Sequence, residues 1–268
     1  MLPESFEVTL REIRPESPDT ATLVLDAPGH TAYRAGQYLS IAPHQFPELV
    51  PLIRQLELEK GRKEPQRKYS LQSAPHEDGI ALTVKREPQG RYAPLLSPHL
   101  VAGLKPGARM TVFGYSGPYV LPDDFSGLVV HVIAGCGAVP NFSIVKDALH
   151  RQRPARHVWV ASNKTRSDML YAKELEALGL PLFNTLTREK APGFRFGRVD
   201  RALLEEAIAP ADRDRCLVYV CGPGVQPRDR RAALENGTSV TPRFMESVMG
   251  HLHAMGIPDK RIKREVYG

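Results

Sequence analysis

The hydrophobic pattern of this chain changes period once, near residues 121–127, and that change limits the folds open to it. Before it, short segments alternate apolar and polar residues, rich in β-branched and aromatic side chains: FEVTLREI, TATLVLDA, QYLSIAP, RKYSLQSAP, IALTVKRE and RMTVFGYSG. Side chains along a strand point to opposite faces in turn, so this alternation reads as β-structure. Gly and Pro punctuate it, as at Ala27-Pro28-Gly29 and Lys105-Pro106-Gly107. Short strands at such close spacing predict a sandwich or barrel. After the change, Leu128–Ala134 (LVVHVIA) is a continuous apolar run, as expected of a parallel strand covered on both faces. Helical and strand-like stretches then alternate: PNFSIVKDALHRQ, HVWVAS, SDMLYAKELEAL, LFNTLT, DRALLEEAI, CLVYVCG and TPRFMESVMGHLHAMG. This predicts an α/β domain with a doubly wound parallel sheet and its ligand beyond the carboxyl ends of the strands. Two domains follow, residues 1–122 and 123–268, with Pro122, Asp123 and Asp124 at the join.

Inside the β half the pattern breaks between His44 and Gln66. Residues 47–60 (PELVPLIRQLELEK) space Leu49, Ile53, Leu56 and Leu58 near the helical period, and GRKEPQRK follows as a basic loop. The stretch at about 44–66 therefore reads as a helix and loop inserted into a β domain.

Composition narrows the class further. With 268 residues, 42% hydrophobic and 25% charged, the chain suits globular domains that bury a core without disulfide staples. The opening MLPESFEVTL has no basic n-region and no apolar h-region, and no apolar run approaches the roughly 20 residues needed to span a bilayer. Neither a secretory signal nor a membrane association is expected. The three cysteines, Cys136, Cys216 and Cys221, form no CxxC pair and no zinc set, which points to a reducing cytoplasm and no metal site. A plant-type 2Fe–2S cluster needs four cysteine ligands. Electrons leaving one at a time would therefore pass to a separate protein. The net charge of +6 suits an acidic partner, nucleic acid or an anionic surface. No nucleic-acid motif accompanies it, so an acidic protein partner is expected.

The clearest chemical element is Gly135-Cys136-Gly137-Ala138-Val139-Pro140, directly after LVVHVIA and before a helical stretch. Glycine lets backbone approach a pyrophosphate closely, and a helix start presents unpaired N–H groups and a positive dipole end to the anion. Pro140 fits the first helical turn, where a missing N–H costs nothing.

The β half supplies Arg67-Lys68-Tyr69-Ser70-Leu71. Here the sequence resembles the ferredoxin–NADP⁺ reductase superfamily, whose FAD-domain signature is Arg-x-Tyr-Ser/Thr. The GCGAVP turn resembles that family's Gly-Thr-Gly-x-x-Pro, and Cys221-Gly222-Pro223 its Cys-Gly-Pro. The three occur in the family's order, and the resemblance covers nearly the whole chain. It implies an FAD-binding antiparallel β-barrel carrying the inserted helix, then an NADP-binding α/β domain, without a fused ferredoxin domain. It also implies that Arg67 pairs with the FAD pyrophosphate, for which an arginine fork is apt. Tyr69 would lie against the isoalloxazine, Ser70 would reach flavin N5, and Leu71 would complete the cofactor-binding segment. Val84-Lys85-Arg86 resembles the second flavin-contacting strand. Ser97 falls where the family places a phosphate-binding hydroxyl, although the glycine usual three residues earlier is Pro94 here. Cys221 would sit at a strand end beside the nicotinamide, with Gly222 and Pro223. Cys136 replaces the family's commoner threonine. The ending Glu265-Val266-Tyr267-Gly268 resembles the plant-type Glu-Val-Tyr, with one residue added. Tyr267 would then cover the flavin face used by nicotinamide, and Glu265 would be a candidate proton relay.

A 2′-phosphate on the adenine ribose needs cationic partners. Thr187-Arg188-Glu189-Lys190 resembles the family's Ser-Arg pair for that phosphate, and Arg195 and Arg198 follow. Ser162-Asn163-Lys164-Thr165-Arg166 adds charge at another strand end, with Asp168 as a helix-start residue. NADPH is favoured, with NADH the alternative. These readings describe a reductase that takes hydride from NADPH and passes single electrons to ferredoxin, flavodoxin or an oxygenase component. Lys60, Arg62 and Lys63 are candidate docking cations for it. Two other readings stay open: an NADH-preferring subunit stably bound to an oxygenase, and a non-catalytic flavin- or nucleotide-binding module.

Overall fold

The computed structural model describes residues 4–29, 32–87 and 95–267. It divides into two compact units, Met1–Leu121 with Phe142–His150, and Pro122–Asn141 with Arg151–Gly268.

The first unit holds β1 (Ser5–Ser17), β2 (Thr20–Asp26), β3 (Tyr38–Ile41), α1 (Val50–Lys60), β4 (Arg67–Ser70), β5 (Ile80–Lys85), the short α2 (Leu96–Pro98) and β6 (Arg109–Ser116). The strands order as β4-β3-β6-β1-β2-β5, with antiparallel neighbours throughout. The two outer strands also meet. Leu71 and Leu82 form an antiparallel bridge, and the Gln72 N–H donates to Ala81 O at 2.7 Å. Closure of this kind satisfies edge groups that an open sheet leaves exposed. Val8, Leu10, Leu23, Leu25, Leu39, Ile41, Leu71 and Leu82 fill the interior.

The insert is helical, but it does not run as one helix from residue 47. Prolines 43 and 47 each start a 3₁₀ turn, Pro43–Gln45 and Pro47–Leu49, before α1 begins. Proline is tolerated only where its absent N–H is not needed, so each one starts a segment afresh. Gly61, at φ 64°, ends α1 in the left-handed region. Ile53 and Leu56 are buried, whereas Leu58 is 85% exposed. Two residues advance about 200° around a helix, so Leu58 cannot share the buried face of Leu56. The expected four-residue stripe is therefore corrected at Leu58.

The second unit holds β7 (Leu128–Ala134), α3 (Ala138–His150), β8 (Arg156–Asn163), α4 (Ala172–Ala177), β9 (Leu182–Leu186), β10 (Arg195–Phe196), α5 (Arg201–Ala207), β11 (Leu217–Pro223), α6 (Pro227–Glu235), α7 (Phe244–Ala254) and β12 (Ile262–Tyr267). From Phe142 onward α3 groups with the first unit. The strand order is β10-β9-β8-β7-β11-β12, all parallel. β7 lies between β8 and β11 and is buried up to Ala134, as its unbroken apolar run requires.

Three local readings change. Residues 167–178 do not form one helix, because Tyr171 adopts φ 58° and separates a 3₁₀ turn at Arg166–Asp168 from α4. Asp168 does act at that turn's start, where its Oδ2 accepts from the Thr165 N–H at 3.0 Å and from Thr165 Oγ1 at 2.6 Å. The helix expected over 241–256 is confined to Phe244–Ala254. The charged C-terminal residues form the edge strand β12, a position where polar side chains are favoured. No helix among the described residues is long and apolar enough to cross a membrane.

Candidate functional site

Each unit gathers one set of the expected site residues. In the first, Arg67, Tyr69 and Ser70 lie on β4, in register with Ile41, Leu39 and Tyr38 of β3. Ser70 is buried, and Tyr69 rests against the barrel core, where burial pushes its phenol up from the usual value. Leu71 is fully buried and bridges to Leu82, so it fixes the end of β4 and exposes nothing.

Arg67 has an internal counter-ion that the sequence reading did not anticipate. Its guanidinium pairs with Glu64, and Lys60 Nζ reaches the other Glu64 oxygen at 3.1 Å. Glu64 is only 8% exposed. The returning loop is held by Glu57, which accepts the Glu64 N–H at 2.7 Å and bonds His44 Nε2 at 2.8 Å. Lys60 is thus committed inside the insert and drops out of the docking cations. Lys68 lies over the Tyr38 ring, its Nζ 4.7 Å from the centroid. Arg62 and Lys63 remain exposed.

On β5, Val84 is buried and Lys85 Nζ lies 3.2 Å from Asp19 Oδ2. The Arg86 N–H donates to Asp19 O at 2.7 Å, and its side chain is exposed. Ser97 is buried in α2, and its Oγ accepts the Glu87 N–H at 3.2 Å. Its hydroxyl therefore already serves the chain after β5. Pro94, at the position of the family's glycine, lies outside the described residues, as does Gly268.

In the second unit the Gly-rich turn is a 3₁₀ turn, Gly135–Gly137, leading straight into α3 with Pro140 in its first turn. Gly135 has φ 53° and open space where a β-carbon would stand. Gly137 is the reverse case, because a β-carbon there would lie 1.9 Å from the carbonyl oxygen of Cys221. Cys221 lies in register with Ile133 of β7 on one side and Glu265 of β12 on the other. It is fully buried. Burial first, then Glu265 and Cys136, push its thiol well above the ordinary range. Cys221 is therefore a neutral thiol. The same ladder pairs Gly222 with Val266 and Pro223 with Tyr267, so the ending expected to cover the site is fixed alongside the Cys-Gly-Pro segment. Glu265 and Tyr267 are both half-buried.

The two loops carrying the expected phosphate cations are joined by backbone bonds. The Thr187 N–H donates to Asn163 O at 2.9 Å and the Arg188 N–H to Lys164 O at 2.8 Å, extending the β8–β9 ladder past its strand ends. Thr187 Oγ1 also donates to Asn163 O at 3.3 Å. Lys164, Arg188 and Lys190 are exposed, while Ser162 is buried on β8. Arg166 is bound by Glu189 through its N–H at 2.8 Å and its Nε at 2.6 Å, and Arg195 pairs with Glu206. Those two arginines are occupied.

Sequence reasoning missed two contributors. Phe196, 58% exposed, pairs with Leu186 on β9 directly before Thr187, and Lys190 Nζ stands 5.2 Å from its ring centroid. Glu246 anchors the segment after Cys-Gly-Pro, accepting the Val225 N–H at 2.9 Å and the Arg243 N–H at 3.1 Å. It stands three residues after the helix cap, but that cap is Arg243 and not the Ser or Thr of the readable pattern. A two-residue strand leaves no mark either.

Comparison with known proteins agrees with this architecture. Residues 132–226 match the oxidoreductase NAD-binding domain. The chain is 32% identical over 220 residues to the NADPH oxidoreductase of Mycobacterium tuberculosis, covering 79% of this chain and 51% of that protein. It is 28% identical over 265 residues to the ferredoxin reductase component of 3-ketosteroid-9-alpha-monooxygenase from Mycolicibacterium smegmatis, covering 98% and 65% respectively. It spans about half the length of several of the curated relatives it matches. Among solved structures, the FAD/NAD-binding domain of nitric oxide dioxygenase from Vibrio cholerae superposes with a TM-score of 0.73 at 23% identity, over 98% of both chains.

Proposed function

We infer that this chain, with its two-part fold and its oxidoreductase NAD-binding domain, is an FAD-dependent reductase of the ferredoxin–NADP⁺ reductase type that oxidises NADPH and delivers electrons singly to an acidic redox protein. The observation that carries the reading is the turn at Gly135–Gly137. Gly137 lets the turn pack directly against the Cys221 carbonyl, where a β-carbon would clash at 1.9 Å, while the space at Gly135 stays open to an approaching anion. The first unit fits a flavin as well, since Arg67, Tyr69 and Ser70 offer a phosphate cation, an aromatic face and a hydroxyl on one four-residue strand.

When bound, FAD and NADPH supply hydride transfer from nicotinamide C4 to flavin N5 and the step down to single electrons. The protein's part is placement. Ser70 would present its hydroxyl to N5, and Tyr69 would flank the ring, where aromatic contact contributes about 0.5–1.5 kcal/mol beyond area burial. Arg67 would take pyrophosphate oxygens, exchanging part of its bond to Glu64. Cys221, neutral and buried, would shape the nicotinamide side without acting as a nucleophile. Glu265 is the candidate proton carrier and Tyr267 the ring-covering group. Lys164 and Arg188, brought together by the extended β8–β9 ladder, would bind a 2′-phosphate.

The acceptor lies outside these residues, because three cysteines cannot hold a plant-type cluster. Arg62 and Lys63 are exposed cations in the loop of the insert that suit an acidic carrier. The monooxygenase relative supports a second reading, in which the acceptor is a stably bound oxygenase component. Anaerobic titration of the purified flavoprotein with NADPH and with NADH tests the core reading. Bleaching of a flavin spectrum at lower NADPH than NADH is expected, and a protein that neither carries nor binds FAD would sink it. Co-elution with an oxygenase on size exclusion would favour the second reading over a diffusing carrier.

A further inference from the structure

β7 is apolar along its length except at its centre, where His131 is fully buried. Leucine or valine would suit that position better, since a buried polar group costs free energy unless all its bonds are made. Its bonds run to the Gly-rich turn. His131 Nδ1 lies 2.7 Å from Asn141 Oδ1, and Asn141 Nδ2 donates to Gly137 O at 2.8 Å. His131 Nε2 lies 3.0 Å from Nδ1 of His157, on the neighbouring β8. Asn141 is fully buried and His157 nearly so.

The chemistry of the end group settles every proton in this chain. Gly137 O can only accept, so the amide end of Asn141 faces it and Oδ1 faces His131. His131 Nδ1 must then carry the proton, which leaves its Nε2 a bare acceptor. His157 Nδ1–H fills that acceptor, and His157 keeps an unprotonated Nε2 that is buried with no hydrogen-bond partner among the described residues. Both rings are neutral. Burial first, then His157, holds His131 down to about 3, and burial with Arg153 nearby holds His157 down to about 4. Both rings therefore carry the proton on Nδ1, the minor tautomer of free imidazole.

The peptide between Gly137 and Ala138 is thereby pinned at both ends. Its oxygen takes the Asn141 amide, and its N–H, on Ala138, bonds back to Gly135 O and Cys136 O. On the other side Gly137 abuts the Cys221 carbonyl. We propose that Asn141, His131 and His157 are positioning residues for nicotinamide nucleotide binding: a buried chain of fixed polarity that holds the Gly135–Gly137 turn open at the pitch a pyrophosphate requires. The proposal rests on the nucleotide reading of that turn. A core polar cluster with no bearing on the turn would need neither the bond to Gly137 nor one orientation throughout.

The test is equilibrium binding of NADP⁺ to the oxidised, FAD-loaded protein, followed by flavin difference spectra, for wild type, His131→Leu, Asn141→Leu and His131→Asn. Asn141→Leu removes the link to the turn and His131→Leu removes the bond that anchors it, and each should weaken NADP⁺ about five- to tenfold, the loss expected for one or two buried hydrogen bonds. The flavin reduction rate at saturating NADPH should change far less than the affinity. His131→Asn places an amide where Nδ1–H stood, so it should recover most of the binding. In wild type, side-chain ¹⁵N spectra should show Nδ1–H on both histidines. Leucine variants that are folded and flavin-loaded yet bind NADP⁺ as wild type does would overturn the proposal, as would Nε2–H on His131. Absence of NADP⁺ and NAD⁺ binding in wild type would instead remove the nucleotide reading beneath it. If His131→Leu unfolds, Asn141→Leu and the wild-type spectra still decide.

Discussion

Gly137 and Cys221 approach so closely that a β-carbon on Gly137 would stand 1.9 Å from the Cys221 carbonyl oxygen and 3.2 Å from its Cβ. Neither backbone can give way easily. Cys221 is paired on both sides within the sheet, and Gly137 is tied to Asn141. Gly137→Ala should therefore lower the melting temperature, with overpacking costing about 1–3 kcal/mol, and raise the Kd for NADP⁺ more than tenfold. Gly135→Ala meets no neighbour, and its cost is the positive φ alone, about 1 kcal/mol. Calorimetry and NADP⁺ titration of the two variants separate these cases. Equal effects at both positions would contradict close approach as the function of Gly137.

Glu64 gives a second contrast, between stability and cofactor binding. Its side chain, 7% exposed, neutralises both Lys60 and Arg67. Glu64→Gln removes the charge while keeping the shape. The flavin-free protein should lose about 1–3 kcal/mol, because two partly buried cations lose their counter-ion. The same change frees Arg67 for phosphate, so FAD should bind about three- to tenfold more tightly. Apoprotein melting curves and FAD titration by flavin fluorescence read the two effects separately. Weaker FAD binding in Glu64→Gln would mean that Glu64 orients Arg67 and does not compete for it.

Those two residues also mark how far the sequence could be read. The change of period near residue 122, the apolar run of β7 and the Gly-rich turn before a helix are local signals, and the pairing of an antiparallel with a parallel sheet follows from them, whereas the strand order does not. Arg67, Tyr69 and Ser70 could be named because they match a contiguous family signature, and they lie together on one strand. Glu64 could not be assigned to Arg67, because that pair depends on how the loop returns from α1 through the bond from Glu64 to Glu57. His131 was passed over inside the apolar run of β7. Its partners, Asn141 and His157, lie 10 and 26 residues away and are set only by the β7–β8 pairing and the start of α3. Tyr171 broke a helix that periodicity favoured, because one residue at positive φ outweighs several well-spaced apolar ones. β12 carries too few apolar residues to show a strand pattern, and its pairing with β11 defines it instead.

The phosphate cations yield a prediction about nucleotide choice. Arg188 is exposed and held beside Lys164, whereas Arg166 is bound by Glu189 and Arg195 by Glu206. Arg188→Ala should raise the KM for NADPH about ten- to a hundredfold, the loss of a charged hydrogen bond. The KM for NADH, which lacks the 2′-phosphate, should change less than about twofold. Arg195→Ala should affect neither strongly. Steady-state dye reduction with both nucleotides measures this. Parallel loss of NADPH and NADH in Arg188→Ala would place Arg188 away from the 2′-phosphate.

His131 and His157 also set the response to acid. In the unfolded chain both titrate near 6.5, while in the folded protein burial holds them neutral down to about 3 and about 4. Between those limits the unfolded chain binds more protons, so acid favours unfolding. Their stabilising contribution is complete above pH 6.5 and is lost as pH falls toward the folded values. The slope approaches about 1.4 kcal/mol per pH unit for each ring. Arg153, the charged neighbour of His157, repels the added proton and deepens the effect. Urea unfolding at pH 7.5, 6.0 and 5.0 should show nearly constant stability in the upper interval and a steep fall in the lower. His131→Leu removes one of the two rings and should make that fall shallower by up to about half. A wild-type protein equally stable at pH 5.0 and 7.5 would show that His131 and His157 accept protons without leaving the fold.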